Sequence, residues 1–291
     1  MLLQKGVILE ALPVLDDTLR DMFAAAESCF PKCWKVVDLG CSSGPNSLFV
    51  ISHIMDTIEQ LCRKKNFIGS DNLPEFEVFL NDLPDNDFNN LFKLIGGQVN
   101  GKNKKRQCFC MACLDLSMAG CFLATPFTLL IRPTVFIGFL RSVKDPSCKH
   151  HSAHYTLLSQ TLLDMVAEGL VKMDDLYSFN VPIYMPCEEE VNTVIQNEGS
   201  FNLDKLHVFP VRWDAQDNII NYENDLVFHK HRSGKLVANS VRAFMEPMLA
   251  AHFGSSIVDE LFGRYAEKMG EHLSEEKYSS YYTIVISLSR K

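Results

Sequence analysis

The residues best suited to chemistry form a short run, Asp38-Leu39-Gly40-Cys41-Ser42-Ser43-Gly44, which follows a stretch of β-branched residues. Its two glycines lack a Cβ, so the backbone there can approach a ligand closely. The carboxylate of Asp38, just before the first glycine, suits a ligand with a cationic amino-acid group. The spacing is neither the dinucleotide pattern Gly-x-Gly-x-x-Gly nor a phosphate loop ending in Gly-Lys-Ser/Thr.

A second acidic residue, Asp82, follows the apolar run Phe76 to Leu80. A carboxylate at the end of a strand can accept hydrogen bonds from both hydroxyls of a ribose. A ligand that carries a ribose and a cationic amino-acid group is S-adenosylmethionine (SAM). The alternative is an ordinary strand–turn–helix connection, in which the glycines serve the turn alone.

Hydrophobic patterns indicate the elements that position these two acids. Trp34 to Leu39 and Phe76 to Leu80 are predicted to be strands. Between them, apolar residues from Leu48 to Cys62 recur at helical spacing, with charged residues off that stripe. Strand, turn, helix and strand form a βαβ unit, which predicts an α/β fold with a parallel sheet and a right-handed crossover.

The remaining patterns predict a larger helical share. Predicted helices cover Val7 to Ala26, Leu157 to Leu170, Glu188 to Asn197 (closed by Gly199) and Asn239 to Phe253, and predicted strands cover Leu206 to Trp213 and Tyr282 to Leu288. There is no internal repeat and no clear linker, so we predict a single domain, 1–291, with a helical subregion.

The composition is that of a globular chain with an acidic balance. Among 291 residues, 28 are Lys or Arg and 36 are Asp or Glu, which gives a net charge of −8 and argues against a nucleic-acid partner. No apolar window is long enough to span a membrane, and the first residues, Met1 to Lys5, do not have the pattern of a signal peptide. We therefore expect a cytoplasmic protein whose ten cysteines are free thiols or metal ligands.

Two long motifs carry a resemblance to a known family. Val36 to Asn46 and Leu80 to Asn89 together resemble the plant SABATH methyltransferases, SAM-dependent enzymes that methylate small carboxylic acids such as salicylate, benzoate or jasmonate, or purine-alkaloid nitrogens. Further matches follow in the family's order: Asp164 to Leu170, Ser178 to Pro182, Glu198 to Phe201, Val241 to Ala243 and Glu246-Pro247.

The resemblance implies a fold and a division of the chain. The fold would be the class I SAM-methyltransferase sheet, which is Rossmann-like, with a helical substrate-binding cap. The cofactor-binding part would occupy about 1–110, and the cap with the C-terminal strands about 136–291. A homodimer is also implied.

The resemblance also implies site residues. Cys41, Asn46, Asp82 and Leu83 match cofactor-site positions, beside Asp38 and Gly40, which were singled out above. Substrate-binding positions are matched by Gln4, which would orient the substrate carboxylate, and by Phe244 and Tyr281 in the pocket wall. No catalytic base is implied, because a carboxylate is already an anionic nucleophile.

The chain departs from the family pattern at two places that bear on the site. The family's N-terminal segment, which touches the cofactor, precedes the position of Gln4, so we expect this lid to be absent. A magnesium ligand, an Asp, is expected beside Phe179 and Asn180, but Tyr177 stands there and is a poor ligand for a hard cation.

A third departure concerns clustered cysteines and histidines, which by count and spacing resemble zinc ligands: Cys108, Cys110, Cys113, Cys121, Cys148, His150, His151 and His154. A different interpretation is favoured. Met111 to Phe122 can be encoded by codons that, in another reading frame, encode the family motif Gly-Met-Pro-Gly-Ser-Phe-Tyr-Gly-Arg-Leu-Phe. That frame begins at the third base of the first codon. We therefore interpret Met111 to Leu130, within an aberrant segment of about 110–135, as an out-of-frame translation followed by a missing block.

Three functions remain open from the sequence. The first is a SAM-dependent carboxyl methyltransferase. The second is an inactive or binding-only remnant of that family, because parts of the site are missing. The third is a purine N-methyltransferase, which Gln4 disfavours. The acid that is methylated is not indicated.

Overall fold

The fold was analysed in a computed structural model. The structure describes residues 2–25, 32–64, 74–82, 84, 86–99, 108–114, 128–131, 135–142, 153–181, 184–212, 230–275 and 280–291.

Among the described residues, helices and strands alternate from Leu2 to Leu114, two more strands follow before residue 143, and helices predominate from Ala153 onwards. The helices are α1 (Leu2–Ala25), α2 (Pro45–Lys64), α3 (Phe88–Val99), α4 (Ala153–Ala167), α5 (Met173–Ser178), α6 (Glu188–Glu198), α7 (Lys230–Phe253) and α8 (Val258–Glu275). The strands are β1 (Cys33–Leu39), β2 (Glu75–Asp82), β3 (Cys108–Leu114), β4 (Thr128–Ile131), β5 (Val135–Ser142), β6 (Phe201–Arg212) and β7 (Ser280–Arg290).

All the helices and strands predicted from sequence patterns are present, with bounds shifted by up to nine residues. Three further helices, α3, α5 and α8, and three further strands, β3, β4 and β5, were not predicted. In α8 the signal was available, because Leu261, Tyr265, Met269 and Leu273 recur at helical spacing and are buried.

The strands form one sheet in the order β3-β2-β1-β4-β5-β7-β6. β1 and β2 are parallel, as are β2 and β3, which confirms the parallel pairing predicted from the βαβ unit. In the register of the first pair, Asp38 lies opposite Leu80 and Leu39 opposite Asn81. The carboxyl ends of β1 and β2 therefore meet at the same edge of the sheet.

β4 runs antiparallel to both β1 and β5, so the sheet is mixed rather than parallel at its centre. Only residues 132–134 separate β4 from β5. A parallel pair needs a crossover of a dozen or more residues, whereas a short link can form only a hairpin. The short connection therefore dictates that β4 and β5 run in opposite directions.

Both faces of the β6–β7 pair are covered. Ile284, Ile286 and Leu288 form a small buried cluster with Val191 of α6. Val285, which points to the opposite face because strand residues alternate, belongs to the large core. That core continues through the sheet and the helices, with buried members including Val36, Ile54, Leu80, Leu162, Leu249 and Tyr265.

α7 and α8 cross at very short range. A Cβ built on Gly234 would lie 2.2 Å from the carbonyl oxygen of Ala266, and one on Gly270 would lie 2.7 Å from the carbonyl oxygen of Lys230. Glycine at these two positions is what permits the approach of the two helices. Within the part of the chain that is described, no helix is long and apolar enough to cross a membrane.

Candidate cofactor and substrate site

The chain turns sharply where β1 ends, and the turn folds over the end of β2. Gly40 has a φ of +91° and Ser42 a φ of +53°. Both values lie in the left-handed region, which residues other than glycine rarely adopt. The backbone N–H groups of Gly40 and Cys41 both donate to the carbonyl oxygen of Asn81, at 2.8 and 3.0 Å. A main-chain oxygen of β2 thus holds the first half of the turn.

Asp82, the last residue of β2, is bonded to the same turn. The N–H of Ser42 donates to its Oδ2 at 2.6 Å. The two acidic positions singled out in the sequence, Asp38 and Asp82, therefore belong to adjacent strands whose ends share one edge. The turn between Gly40 and Gly44 closes over that edge.

The carboxylate of Asp38 is buried without a hydrogen-bond partner. The residue is 1% exposed, and neither oxygen is hydrogen-bonded. Burial raises the pKa of Asp38 to about 7, and the negative charge of Asp82 adds to this. The nearby Ser47 hydroxyl opposes the rise, but its proton is donated to the carbonyl oxygen of Cys41 at 2.6 Å.

An unpaired buried carboxylate is costly unless a cation completes it. A ligand ammonium group at the end of β1 would supply that charge, so the residues present fit the amino-acid end of SAM. Asp82, at the end of the next strand, is the acceptor available for a ribose.

Cys41 and Asn46 lie on the helix side of the turn. Cys41 is 2% exposed, and burial, together with the charges of Asp38 and Asp82, raises the pKa of its thiol far above the ordinary value. The thiol therefore stays protonated, which suits a packing residue rather than a nucleophile. Asn46 lies in the first turn of α2, directly after Pro45.

Several predicted site residues cannot be placed against this turn. Leu83 lies outside the described residues, and Gln4 in α1 and Tyr281 in β7 have side chains outside the described part. Phe244 is half-buried in α7 and packs against the large core. None of the described contacts joins it to the turn.

The positions considered for magnesium do not fit a hard cation. Tyr177 is 80% exposed and offers no carboxylate. The ring of Phe179 packs against His252 and Phe253, at centroid distances of 5.1 and 5.0 Å. The side-chain amide of Asn180 donates to the carbonyl oxygen of Ser178. The Nε2 of His252 lies 2.7 Å from the carbonyl oxygen of Asp175 in α5.

The cysteine and histidine set does not form a zinc centre among the described residues, since no three metal-binding side chains there converge. The sulfur atoms of Cys108 and Cys110 lie 3.6 Å apart on β3, and His154 is buried in α4. The side chain of Cys113 and the residues Cys121, Cys148, His150 and His151 lie outside the described part.

Three residues that hold the turn were not predicted: Asn81, Ser47 and Asn90. Asn81 acts through its backbone carbonyl, which no side-chain pattern reveals. The side-chain Nδ2 of Asn90, in the first turn of α3, donates to the carbonyl oxygen of Ser43 at 2.9 Å. Its only signal is its place in the polar run from Asn86 to Asn90.

The sheet order, the glycine turn and the two acids at adjacent strand ends define the class of protein as a SAM-dependent methyltransferase. The chain belongs to the SAM dependent carboxyl methyltransferase family, whose sequence profile matches residues 2–124 and 133–291. The resemblance inferred from the two sequence motifs is thereby confirmed.

Curated relatives match almost the whole chain. A probable methyltransferase of Theobroma cacao is 33% identical, covering 99% of this chain and 94% of the relative. An anthranilate O-methyltransferase 1 and an inactive anthranilate O-methyltransferase 1, both of Zea mays, are each 30% identical, covering 99% of this chain and 92% of the relative. The cacao alignment extends over 357 positions and this chain has 291 residues, so at least 66 aligned positions have no counterpart here.

A solved structure shares the fold. A loganic acid methyltransferase with S-adenosylhomocysteine (SAH) superposes with a TM-score of 0.73 at 20% identity, covering 99% of this chain and 94% of that one. This likeness confirms the predicted class I methyltransferase fold.

Proposed function

We propose that this chain methylates the carboxylate of a small organic acid, with SAM as the methyl donor, and forms a methyl ester. The observation that carries the proposal is the unpaired buried carboxylate of Asp38 beside the turn that Asp82 holds. Membership of a carboxyl methyltransferase family supports the reaction class.

The residues of this chain would bind and orient the two reactants. Asp38 would pair with the ammonium group of SAM, and Asp82 would accept from its ribose. Gly40 permits close approach of the backbone, and Cys41, Asn46 and Leu83 would line the same site by resemblance. When bound, SAM would supply an electrophilic methyl group on its sulfonium sulfur. After the methyl group is transferred to the acid, the cofactor would leave as SAH, a neutral thioether.

The acid needs orientation rather than deprotonation. A carboxylate is already an anion at neutral pH, so no general base is required. Placing one carboxylate oxygen in line with the methyl group supplies the catalysis, through proximity and exclusion of water. Gln4 would orient the carboxylate, with Phe244 and Tyr281 in the pocket wall, as the resemblance implies.

Calorimetric titration with SAH tests the cofactor site. We expect binding by the wild-type chain and a loss of about tenfold or more in affinity for Asp38→Asn, since a charged hydrogen-bonded pair contributes on the order of 1.5–3 kcal/mol. Glu10→Gln is the matched control, because Glu10 is an exposed carboxylate on α1. Equal affinities for the two variants would contradict the role of Asp38.

A methyl-transfer assay tests the substrate class. Radiolabelled SAM is offered with anthranilate, salicylate, benzoate and jasmonate, and with xanthines as the alternative nucleophiles. Transfer to the acids supports the proposal, whereas transfer to xanthines alone would make the chain a purine N-methyltransferase.

A second candidate function is binding without turnover. It is favoured by the aligned positions that this chain lacks, and by its equal identity to a maize anthranilate O-methyltransferase 1 and to a maize relative named as inactive. The same two assays separate the candidates: SAH binding without methyl transfer to any acid would identify a binding-only remnant.

We further propose a single-domain chain, 1–291, with the cofactor part at about 1–110 and the cap at about 136–291, as a cytoplasmic homodimer. The continuous core shared by the sheet and the helices supports one domain. Light scattering coupled to gel filtration tests the dimer, and a fluorescent fusion in plant cells tests the compartment.

A further inference from the structure

The first turn of α3 makes a long-range contact with the cofactor turn. The Nδ2 of Asn90 donates to the carbonyl oxygen of Ser43 at 2.9 Å, across 47 residues of sequence. A second contact lies beside it, where the Nδ2 of Asn86 approaches the sulfur of Cys41 at 4.0 Å. The segment that follows β2 thus lies against the turn that follows β1.

Asn90 is held firmly enough to position its partner. Its own backbone N–H donates to Oδ1 of Asp87 at 3.0 Å, which caps the start of α3. The next residue, Leu91, is fully buried in the large core. Packing of Leu91 and the cap at Asp87 therefore fix where the amide of Asn90 lies.

Three elements, β2, α2 and α3, hold different residues of the turn by hydrogen bonds. Gly40, Cys41 and Ser42 are held by Asn81 and Asp82 of β2. The carbonyl of Cys41 is held by Ser47 of α2. Within the part of the chain that the structure describes, Asn90 of α3 supplies a hydrogen bond to Ser43, the residue that leads into Gly44 and α2.

We infer that Asn90 is a positioning residue, which holds Ser43 and the start of α2 in the geometry that binds SAM. It acts through the carbonyl of Ser43. The left-handed backbone of Ser42 makes such a contact valuable, because an unfavourable φ persists only where neighbouring contacts impose it. The inference rests on the proposed function, since the geometry in question is that of the SAM site.

The chain offers a matched control in the neighbouring residue. Asn89 is also exposed, lies in the same turn of α3, and has no hydrogen bond through its side chain to the described residues. Asn89→Asp and Asn90→Asp are isosteric changes that add the same charge near the start of one helix, where an acid is favourable. Only Asn90→Asp removes the donor to Ser43.

Calorimetry with SAH and thermal unfolding of the free protein provide the test. We expect Asn90→Asp to weaken SAH binding by about three- to tenfold relative to Asn89→Asp, the loss of one hydrogen bond. Loss of this bond should lower the unfolding temperature of Asn90→Asp only slightly, whereas a merely structural role for Asn90 would lower it in the same way and leave the SAH affinities equal. Equal SAH affinities would overturn the inference.

Hydrogen exchange of the free protein separates this inference from the proposed function. Exchange at the amides of Gly40 to Ser43 should be faster in Asn90→Asp than in Asn89→Asp, whether or not the chain binds SAH. Failure of the wild-type chain to bind SAH would contradict the proposed function. Unchanged exchange in the turn would contradict the role of Asn90.

Discussion

Ser42 and Asp82 are 40 residues apart in sequence, yet the N–H of Ser42 donates to the carboxylate of Asp82 at 2.6 Å. The bond joins the turn after β1 to the last residue of β2. Asp82 thus holds a left-handed residue of the turn, and under the proposed function it would also accept hydrogen bonds from the ribose of SAM. The first role requires one acceptor oxygen, whereas accepting from both ribose hydroxyls in addition requires the second acceptor oxygen that only the carboxylate has.

Two substitutions at Asp82 should therefore differ in their effects on SAH binding and on stability. Asp82→Asn keeps an oxygen that can accept from Ser42 and should weaken SAH binding about tenfold with little change in the unfolding temperature. Asp82→Ala removes the acceptor as well and should also destabilise the free protein by about 1 kcal/mol. Calorimetry and thermal unfolding measure the two effects, and equal stability of both variants would count against the bond to Ser42.

The buried carboxylate of Asp38 should make the free protein less stable as pH rises. Its pKa is raised by burial from 3.8 to about 7, so the folded state binds more protons than the unfolded state between these values. The favourable contribution of the protonated form is complete below about pH 4 and is lost as pH rises through about 7.

Asp38→Asn should remove this loss. Compared with the wild-type chain, the variant should have a similar free energy of unfolding near pH 4 and a higher one, on the order of a few kcal/mol, near pH 8. Denaturant titrations across this range measure the difference. A difference that does not grow with pH would contradict the unpaired state of Asp38.

SAH affinity should depend on pH through the same group. Under the proposed function the ammonium group of SAH would pair with ionised Asp38, so the affinity of the wild-type chain should rise as pH is raised through about 7. Asp38→Asn should bind weakly at all these pH values. Calorimetry in buffers of different ionisation enthalpy would detect the proton released on binding.

Because α7 and α8 cross so closely, alanine substitutions at two glycines should have opposite effects on stability. Gly234→Ala should destabilise the protein by about 1–3 kcal/mol, because its new Cβ would meet the backbone oxygen of Ala266. Gly263→Ala, with nothing within 4 Å of the new Cβ, should stabilise α8 by about 0.5–1 kcal/mol. Thermal unfolding compares them, and equal signs would contradict the close crossing.

Magnesium should not alter the stability of this chain. Tyr177, Phe179 and Asn180 offer no carboxylate, and His252 already lies against the carbonyl oxygen of Asp175. Millimolar magnesium chloride and EDTA should therefore leave the unfolding temperature unchanged. His252→Ala should lower the free energy of unfolding by about 1 kcal/mol with either addition. A magnesium-dependent rise in the wild-type chain would show that a site exists.

The transcript should reveal whether Met111 to Leu130 arise from a shifted frame. We expect the nucleotide sequence to contain the family motif in the neighbouring frame, followed by a block that the chain lacks. The first residues of this segment, Met111 to Leu114, pair with Phe79 to Asp82 in the sheet, next to the cofactor turn. A transcript that does not encode the motif in another frame would contradict the interpretation.

Much of the fold could be predicted from local patterns. The spacing of apolar residues predicted α2, α4 and α7 and the strands β1 and β2. Burial of one face of an element requires apolar residues at regular intervals in the sequence. The direction of β4 was not predicted, since it depends on which strands pair and on the three residues that join β4 to β5.

The sequence by itself determined the class of ligand, and its motifs predict the residues that contact the two ends of that ligand. Asp38, Gly40 and Asp82 stand in motifs short enough to be read along the chain. Only the tertiary structure decided that Asp38 is buried without a partner and that Asn90 holds Ser43. The physical reason is that burial and hydrogen bonding between distant segments depend on how strands and helices pack, which neighbouring residues in the sequence do not specify.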